Sequence, residues 1–328
     1  MSVGTKIVVV GAGAFGTALA SVAAASGNDV TLVGRDAMAV EAMRRTRRNE
    51  KALPGIDLPE TLAYSVDAEV LRDAGIVLFA MPSQAQRQAA RALAPLLAPG
   101  TAVVVCAKGM EKGTGRLLTD VLEEELPGRE IAVLSGPGFA ADIAGGLPTA
   151  MVIAARTAEI GAALAQALSG PTFSLYPSTD RIGVQLGGAL KNVLAIAAGA
   201  AIGAGLGASA QAAIVTRGFV ELRRIGASFG ARPETLMGLS GLGDLVLTCG
   251  SAQSRNFAYG LALGRGDSVV GLKLAEGVAT AGIAASIAAE RGIRAPITDA
   301  VDRMLAGSLT IDRAVEELLS RPLRAEDE

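Results

Sequence analysis

The chain has 328 residues, half of them hydrophobic, with 30 Lys and Arg against 32 Asp and Glu, a formal net charge of −2 and no histidine. A length of this order predicts about two domains, and the near balance of charge excludes an overall electrostatic footprint for nucleic acid. With only 3% aromatics and no Trp, the core must be built from closely packed Ala, Val, Leu and Ile; the usual proton-transfer side chain is missing altogether.

The sequence begins MSVGTKIVVVGAG, which runs straight into a strand pattern without the basic and apolar segments of a leader. Apolar, β-branched runs at Lys6–Val10, Val30–Val33, Ile76–Ala80, Thr101–Cys106, Ile131–Leu134 and Ala150–Ala154 read as buried strands. Helical stretches at about 14–26, 36–47, 84–97, 115–125 and 157–168 alternate with them, which predicts βαβ units and a mainly parallel sheet covered on both faces. The basic group Arg44, Arg45, Arg47 and Arg48 reads as a solvated helix face. A domain boundary is expected near Asp180, giving an N-terminal α/β part over 1–180 and an all-helical part over 181–328. The charged end RAEDE is expected to fray.

The turn GAGAFG after the first strand places Gly11, Gly13 and Gly16 where a dinucleotide site needs them. The glycines serve a tight turn, close approach of a pyrophosphate and helix–strand contact, with the following helix start offering its N–H groups. At the end of the second strand stand Gly34 and Arg35, and Asp36 follows. A guanidinium where a carboxylate is usual suits the 2′-phosphate of NADP, so NADPH is favoured over NADH; Asp36 either caps the next helix or takes the ribose. Three further loops are expected at the carboxyl ends of strands: Met81-Pro82-Ser83, Lys108-Gly109, and Ser135 to Ala140. Lys108 is either a crevice residue or an ordinary exposed loop lysine.

In the helical half, Lys191 is the only charged residue between Arg181 and Arg217, with Asn192 beside it. An ammonium in such surroundings is costly to desolvate without a partner, and its pKa moves readily with burial. The longest polar-free run here, Val193 to Ala208, falls short of the ~20 residues a membrane span requires. A core helix opening into a glycine-rich loop fits better. Asp244, in GLSGLGDLVLTC, is either a helix cap or a partner for that amine. Ser254, Arg255 and Asn256 offer either a phosphate clamp or a capped surface helix start. Together these groups suggest hydride transfer with a nicotinamide while Lys191 moves a hydroxyl proton, Asn192 and Asp244 orienting it. Cys106 and Cys249 match no metal or redox spacing and read as free thiols of a reducing compartment.

GAGAFGTALA, CAKGMEKGTGRLL, SGPGFA, IGVQLGGALKNVLAI, GLSGLGDLVLTC and QSRN follow one another here. In that order they resemble the bacterial NAD(P)-dependent glycerol-3-phosphate dehydrogenases over nearly the whole chain. The resemblance implies a Rossmann-like doubly wound domain plus an all-α domain. It also implies a homodimer, and interconversion of sn-glycerol 3-phosphate and dihydroxyacetone phosphate for phospholipid synthesis. A cytoplasmic location is expected from the free thiols and the rejected membrane span, and no metal is expected. It makes Lys191 the proton acceptor and implies substrate contacts at Lys108, Gly136, Gly138, Asn192, Asp244, Ser254, Arg255 and Asn256. Cofactor contacts are implied at Gly11, Gly13, Ala14, Phe15, Gly16, Arg35, Pro82, Lys108, Ala140, Arg255, Leu274 and Glu276. Ala14 and Gly138 replace hydroxyl residues common in the family, and LAEGVAT is a loose match around Leu274 and Glu276. A β-hydroxyacid dehydrogenase of the same architecture, or a non-catalytic NADPH sensor, are the competing readings.

Overall fold

The computed structural model describes residues 5–319. Ten strands occur in chain order: β1 (Lys6–Val10), β2 (Asp29–Val33), β3 (Arg48–Asn49), β4 (Leu53–Asp57), β5 (Ala63–Ser65), β6 (Ile76–Phe79), β7 (Ala102–Val105), β8 (Glu130–Ser135), β9 (Thr149–Ala154) and β10 (Phe173–Ser178). Eight form one sheet in the order β10-β9-β8-β7-β6-β1-β2-β5, and β3 and β4 form a separate hairpin. Six helices accompany them: α1 (Ala14–Ala25), α2 (Ala37–Thr46), α3 (Gln86–Leu93), α4 (Leu118–Glu125), α5 (Ala140–Ala144) and α6 (Ala158–Leu168).

The β-branched runs become strands because the sheet is covered on both faces: Ile7, Val8, Val9, Val103, Val104 and Val105 have no exposure at all. Such strands read as continuous apolar runs rather than alternating ones. Val10 pairs with Val33 on one side and Phe79 on the other, all in parallel register. The chain leaves β1 for β2 on one flank and later returns as β6 on the other, so a crevice opens at their carboxyl ends. That is where doubly wound sheets bind ligands.

The sheet is not parallel throughout. β9 runs antiparallel to β8 because the short α5 connection turns the chain back at the same end of the sheet, and β10 then follows β9 in parallel. β10, β5 and the β3–β4 hairpin are absent from the sequence reading. The stretch expected as one helix over 84–97 is α3 flanked by 3-10 turns, and the second turn includes Pro95, which cannot continue an α-helix hydrogen-bond ladder. The basic cluster at the end of α2 is not simply solvated. Arg44 donates to the Tyr64 carbonyl at 2.7 Å and Arg47 to the Leu62 carbonyl at 2.9 Å, while Arg48 pairs with Asp57 at 2.6 Å.

After β10 the described chain is helical: α7 (Arg181–Gly203), α8 (Gly207–Ser228), α9 (Pro233–Met237), α10 (Asp244–Cys249), α11 (Arg255–Arg265), α12 (Glu276–Glu290), α13 (Pro296–Leu305) and α14 (Ile311–Leu319). RAEDE lies outside the described residues. α7 is long and apolar enough to cross a membrane by composition, but 89% of that stretch is buried within the fold. It is the central core helix of this half. Gly199 and Gly203 lie inside it. A Cβ on Gly199 would come within 2.9 Å of the Leu261 nitrogen, and one on Gly203 within 3.0 Å of the Gly264 Cα. Glycine here lets the α7 and α11 backbones touch.

The start of α7 is fixed by Asp180. Its carboxylate accepts from the Gly183 N–H at 2.8 Å and from the Arg232 N–H at 2.9 Å, the second tying α7 to the start of α9. The residue is 6% exposed, so both donors would be stranded without it. Asp180→Ala is therefore expected to lower the unfolding free energy by roughly 2 kcal/mol. Urea titration followed by circular dichroism checks this, and an unchanged midpoint would remove Asp180 from that role.

Candidate active site

The first component is the turn between β1 and α1. Gly11 has φ +117°, and a Cβ there would lie 2.9 Å from the Ala80 carbonyl carbon at the end of β6. Gly16 allows the same closeness one turn into α1, where a Cβ would sit 2.9 Å from that of Ala80. Gly13 differs: a Cβ on it would meet nothing within 4 Å. Gly13 caps α1 without any side-chain hydrogen bond, and Ala14 and Phe15 open the helix. Among the described residues no side chain accepts from the N–H groups at this helix start, and the space beside Gly13 is open, which fits a pyrophosphate. Arg35 is exposed at the end of β2. Asp36 is engaged as the cap of α2, accepting from the Ala39 N–H at 3.1 Å. Pro82 is exposed beside the buried Ser83, and Ala140 begins α5.

The second component is a pair of lysines sharing one carboxylate. Lys191 Nζ lies 2.6 Å from Asp244 Oδ1, and Lys108 Nζ lies 2.6 Å from Asp244 Oδ2. The side chains of Lys191 and Asp244 are 7% and 1% exposed. Lys108, which follows β7, also donates to the Gly136 carbonyl at 2.8 Å and stands 5.8 Å from the centre of the Phe15 ring. Thr248 completes the group: its hydroxyl accepts from Lys191 and donates to Asp244 Oδ1 at 3.3 Å. Each ammonium carries three protons, so each has one not engaged by these contacts. Burial pulls the Lys191 pKa down to about 8; Asp244 opposes that shift and the Lys108 charge adds to it. Burial likewise pushes the neighbouring Cys249 thiol up to about 12, so it stays protonated.

Asp244 reaches both amines because of the backbone before it. Leu239–Gly243 forms a π-turn, a conformation that often marks functional sites. The turn presses on α7 at Gly187, where a Cβ would lie 2.6 Å from the Ser240 carbonyl and 2.9 Å from the Gly241 Cα. Gly187 sits one helical turn before Lys191, so the contact sets α10 against the face that carries the amine. Asp244 thus occupies the first turn of α10 but does not cap it, since its carboxylate is taken by the lysines.

Asn192 does something other than orient the Lys191 amine. Its Nδ2 donates to the Lys108 carbonyl at 2.9 Å, and its Oδ1 accepts from Asn256 Nδ2 at 2.8 Å. Asn256 Oδ1 in turn accepts from the Gly277 N–H at 2.9 Å. Next to Gly277, the Glu276 carboxylate accepts from the Ser83 N–H at 3.2 Å and from the Ser83 hydroxyl, linking α12 to the loop after β6. A strip of amides therefore joins α7, α11 and α12 to the sheet edge. Ser254 is buried and caps α11, accepting from the Phe257 N–H at 3.2 Å. Arg255, the next residue, is exposed and makes no ion pair among the described residues. Leu274 is not brought into the cluster; it is 56% exposed. Gly138 is closely fitted, since a Cβ there would come within 2.9 Å of Ile143 Cδ1; a hydroxyl residue would require Ile143 to move. Thr248 was missed in the sequence, although it lies four residues after Asp244 and therefore on the same helix face.

The NAD-dependent glycerol-3-phosphate dehydrogenase N-terminal family model matches residues 6–161, and the C-terminal model of the same family matches 180–316. A glycerol-3-phosphate dehydrogenase [NAD(P)+] of Brucella canis is 56% identical over 98% of this chain and 99% of its own length, and one of Rhizobium johnstonii is equally similar over the same shares. The crystal structure of glycerol-3-phosphate dehydrogenase from Coxiella burnetii superposes with a TM-score of 0.92 at 38% identity, covering 97% of this chain and 99% of that one. A ketopantoate reductase of Ralstonia eutropha, with a TM-score of 0.61 at 18% identity, covering 93% of this chain and 98% of that one, shares the fold alone. With both halves matched and the fold shared end to end, this chain belongs to the NAD-dependent glycerol-3-phosphate dehydrogenase family.

Proposed function

We propose that Lys191 is the proton acceptor when this oxidoreductase converts sn-glycerol 3-phosphate to dihydroxyacetone phosphate, and the donor in the reverse direction. NAD(P), held at the glycine turn, would supply the hydride acceptor or donor for the carbon that bears the reacting hydroxyl. The observation that carries this reading is the buried Lys191 amine sharing Asp244 with Lys108, at the edge of the crevice that the glycine turn opens. Lys191 gives the hydroxyl proton a basic nitrogen close to neutral pH, and the reverse step returns it. Lys108 and the carbonyl of Gly136 form the opposite wall. On this reading Asn192, Ser254, Arg255 and Asn256 complete the substrate pocket, where the Arg255 guanidinium, without an ion pair among the described residues, suits the substrate phosphate. The family membership favours this substrate over a β-hydroxyacid and over nucleotide sensing without turnover.

On this reading residues 1–180 hold the cofactor, through Gly11, Gly13, Ala14, Phe15, Gly16, Pro82, Lys108 and Ala140, with Glu276 of the helical half held against Ser83 beside them; Leu274 stands apart from these groups. NADPH is preferred because Arg35 is exposed at the end of β2 with no ion pair among the described residues, while Asp36 is engaged as a helix cap. Residues 181–328 hold the substrate and the interface of a homodimer. The homodimer and supply of glycerophospholipid synthesis rest on the family likeness, and a cytoplasmic location on that likeness together with the two free thiols.

The direct assay is dihydroxyacetone phosphate-dependent oxidation of NADPH, with NADH alongside. Folded protein without turnover would sink the reading. Lys191→Ala is expected to lower kcat by about 10³-fold or more, while NADPH binding, followed by its fluorescence, is retained.

The pH dependence follows from the depressed pKa of Lys191. The neutral amine accepts the proton, so kcat/KM for glycerol 3-phosphate oxidation should rise with pH and level off above about 8. Asp244 favours the charged amine, so Asp244→Asn should move that limb to lower pH while reducing the maximum. A limb that stays put or moves upward would contradict the assignment.

Arg255→Ala should raise the KM for dihydroxyacetone phosphate by about 10²-fold, the value of a charge-assisted contact, with a smaller effect on kcat. An unchanged KM would remove Arg255 from the phosphate role.

A further inference from the structure

Asn49 belongs to β3, in the small hairpin outside the main sheet, and is remote in sequence from the glycine turn. It is nevertheless 6% exposed and aimed at that turn. Its Nδ2 donates to the Ala12 carbonyl at 3.0 Å and to the Thr17 hydroxyl at 2.8 Å, which uses both protons of the amide. Its Oδ1 accepts from the Ala52 N–H at 3.3 Å, so the side chain is itself held. Thr17 is fully buried in the first turn of α1. One side chain thus joins the middle of the turn to the helix that follows it.

The consequence comes from the geometry of the peptide unit. A trans peptide points its carbonyl and its N–H in opposite directions. Drawing the Ala12 oxygen towards Asn49 therefore turns the Gly13 N–H away from it. Among the described residues nothing accepts from that N–H, and the space around Gly13 is open. Gly13 on the carboxyl side of this peptide has no side chain to restrain the rotation, so Ala12 alone limits it. Without a partner on the carbonyl side, the donor would have no fixed direction.

We propose that Asn49 is a positioning residue for the dinucleotide site: it holds the Ala12–Gly13 peptide so that the Gly13 N–H is presented to the pyrophosphate. The proposal rests on the cofactor reading above. Its test is NADPH affinity rather than turnover, measured on the full chain by nucleotide fluorescence with Asn49→Ala and the isosteric Asn49→Asp. The Kd should rise about tenfold in Asn49→Ala, as expected for a lost buried hydrogen bond. Asn49→Asp should lose more at neutral pH, since a carboxylate cannot donate and faces the Ala12 oxygen. It should regain affinity as the pH falls, because a protonated carboxyl can donate once. The KM for dihydroxyacetone phosphate and the pH limb assigned to Lys191 should not move in either variant.

A Kd within about twofold of the unsubstituted chain in both variants, or equal losses of nucleotide and substrate affinity, would overturn the proposal. So would failure of both variants to fold, which would assign Asn49 to the architecture alone. If the unsubstituted chain bound no NADPH, the cofactor reading would fail, and this inference with it.

Discussion

The ion triad of Lys108, Asp244 and Lys191 is the constraint around which the two halves of this molecule are arranged. A buried ammonium without a partner costs several kcal/mol, so α7 can carry Lys191 through the core only if a carboxylate meets it there. That carboxylate arrives on α10, set against α7 by a π-turn that needs Gly187 and Gly241 to approach so closely. The second amine arrives from the edge of the sheet, on the loop after β7. The group therefore spans the junction between sheet and helices, and its geometry depends on both being in register. One carboxylate between two ammoniums leaves a net positive charge, which suits an opening meant for an anionic substrate.

Much of this was legible in the sequence because burial leaves a strong pattern. Continuous β-branched runs such as KIVVV and AVVV mark strands covered on both faces, and the glycine turn marks the crevice between β1 and β6. Lys191 stood out because no other charge lies near it in the chain. What was not legible is what depends on distant pairing. β5 has three residues and the β3–β4 hairpin is largely exposed, so neither carries a periodic signal. The reversal at β9 depends on where a short connection turns, which the apolar run of β9 itself does not encode.

The candidate site divides in the same way. Residue types and spacing pointed to Lys108, Lys191, Asp244 and Asn256, but not to which atom meets which. Asn192 looked like an orienting group for the amine beside it, yet successive residues on a helix point in different directions. It reaches Lys108 and Asn256 instead, and the partner for the amine is Thr248, one helical turn beyond Asp244. Asp244 itself had the sequence context of a helix cap. Only the path of α10 against α7 shows that its carboxylate is taken by the lysines.

The absence of histidine makes the balance of effects at Lys191 decisive. Between α3 and α4 of this same protein two guanidinium groups act on one carboxylate: Arg91 and Arg87 hold the Glu125 carboxyl at about 2. Around Lys191 the opposite shift prevails, although Asp244 lies just as close. Two differences account for it. The amine is almost wholly buried, so desolvation outweighs a single ion pair. The carboxylate is also shared with Lys108, whose own charge disfavours a second ammonium. A dedicated aspartate would hold the proton on Lys191 well above neutral pH and leave a poor base. With no partner at all, the charged form would be too costly to keep within the core. On the proposed function, sharing one carboxylate between two lysines would let the nitrogen both hold and release a proton near pH 8, the role a histidine would otherwise fill.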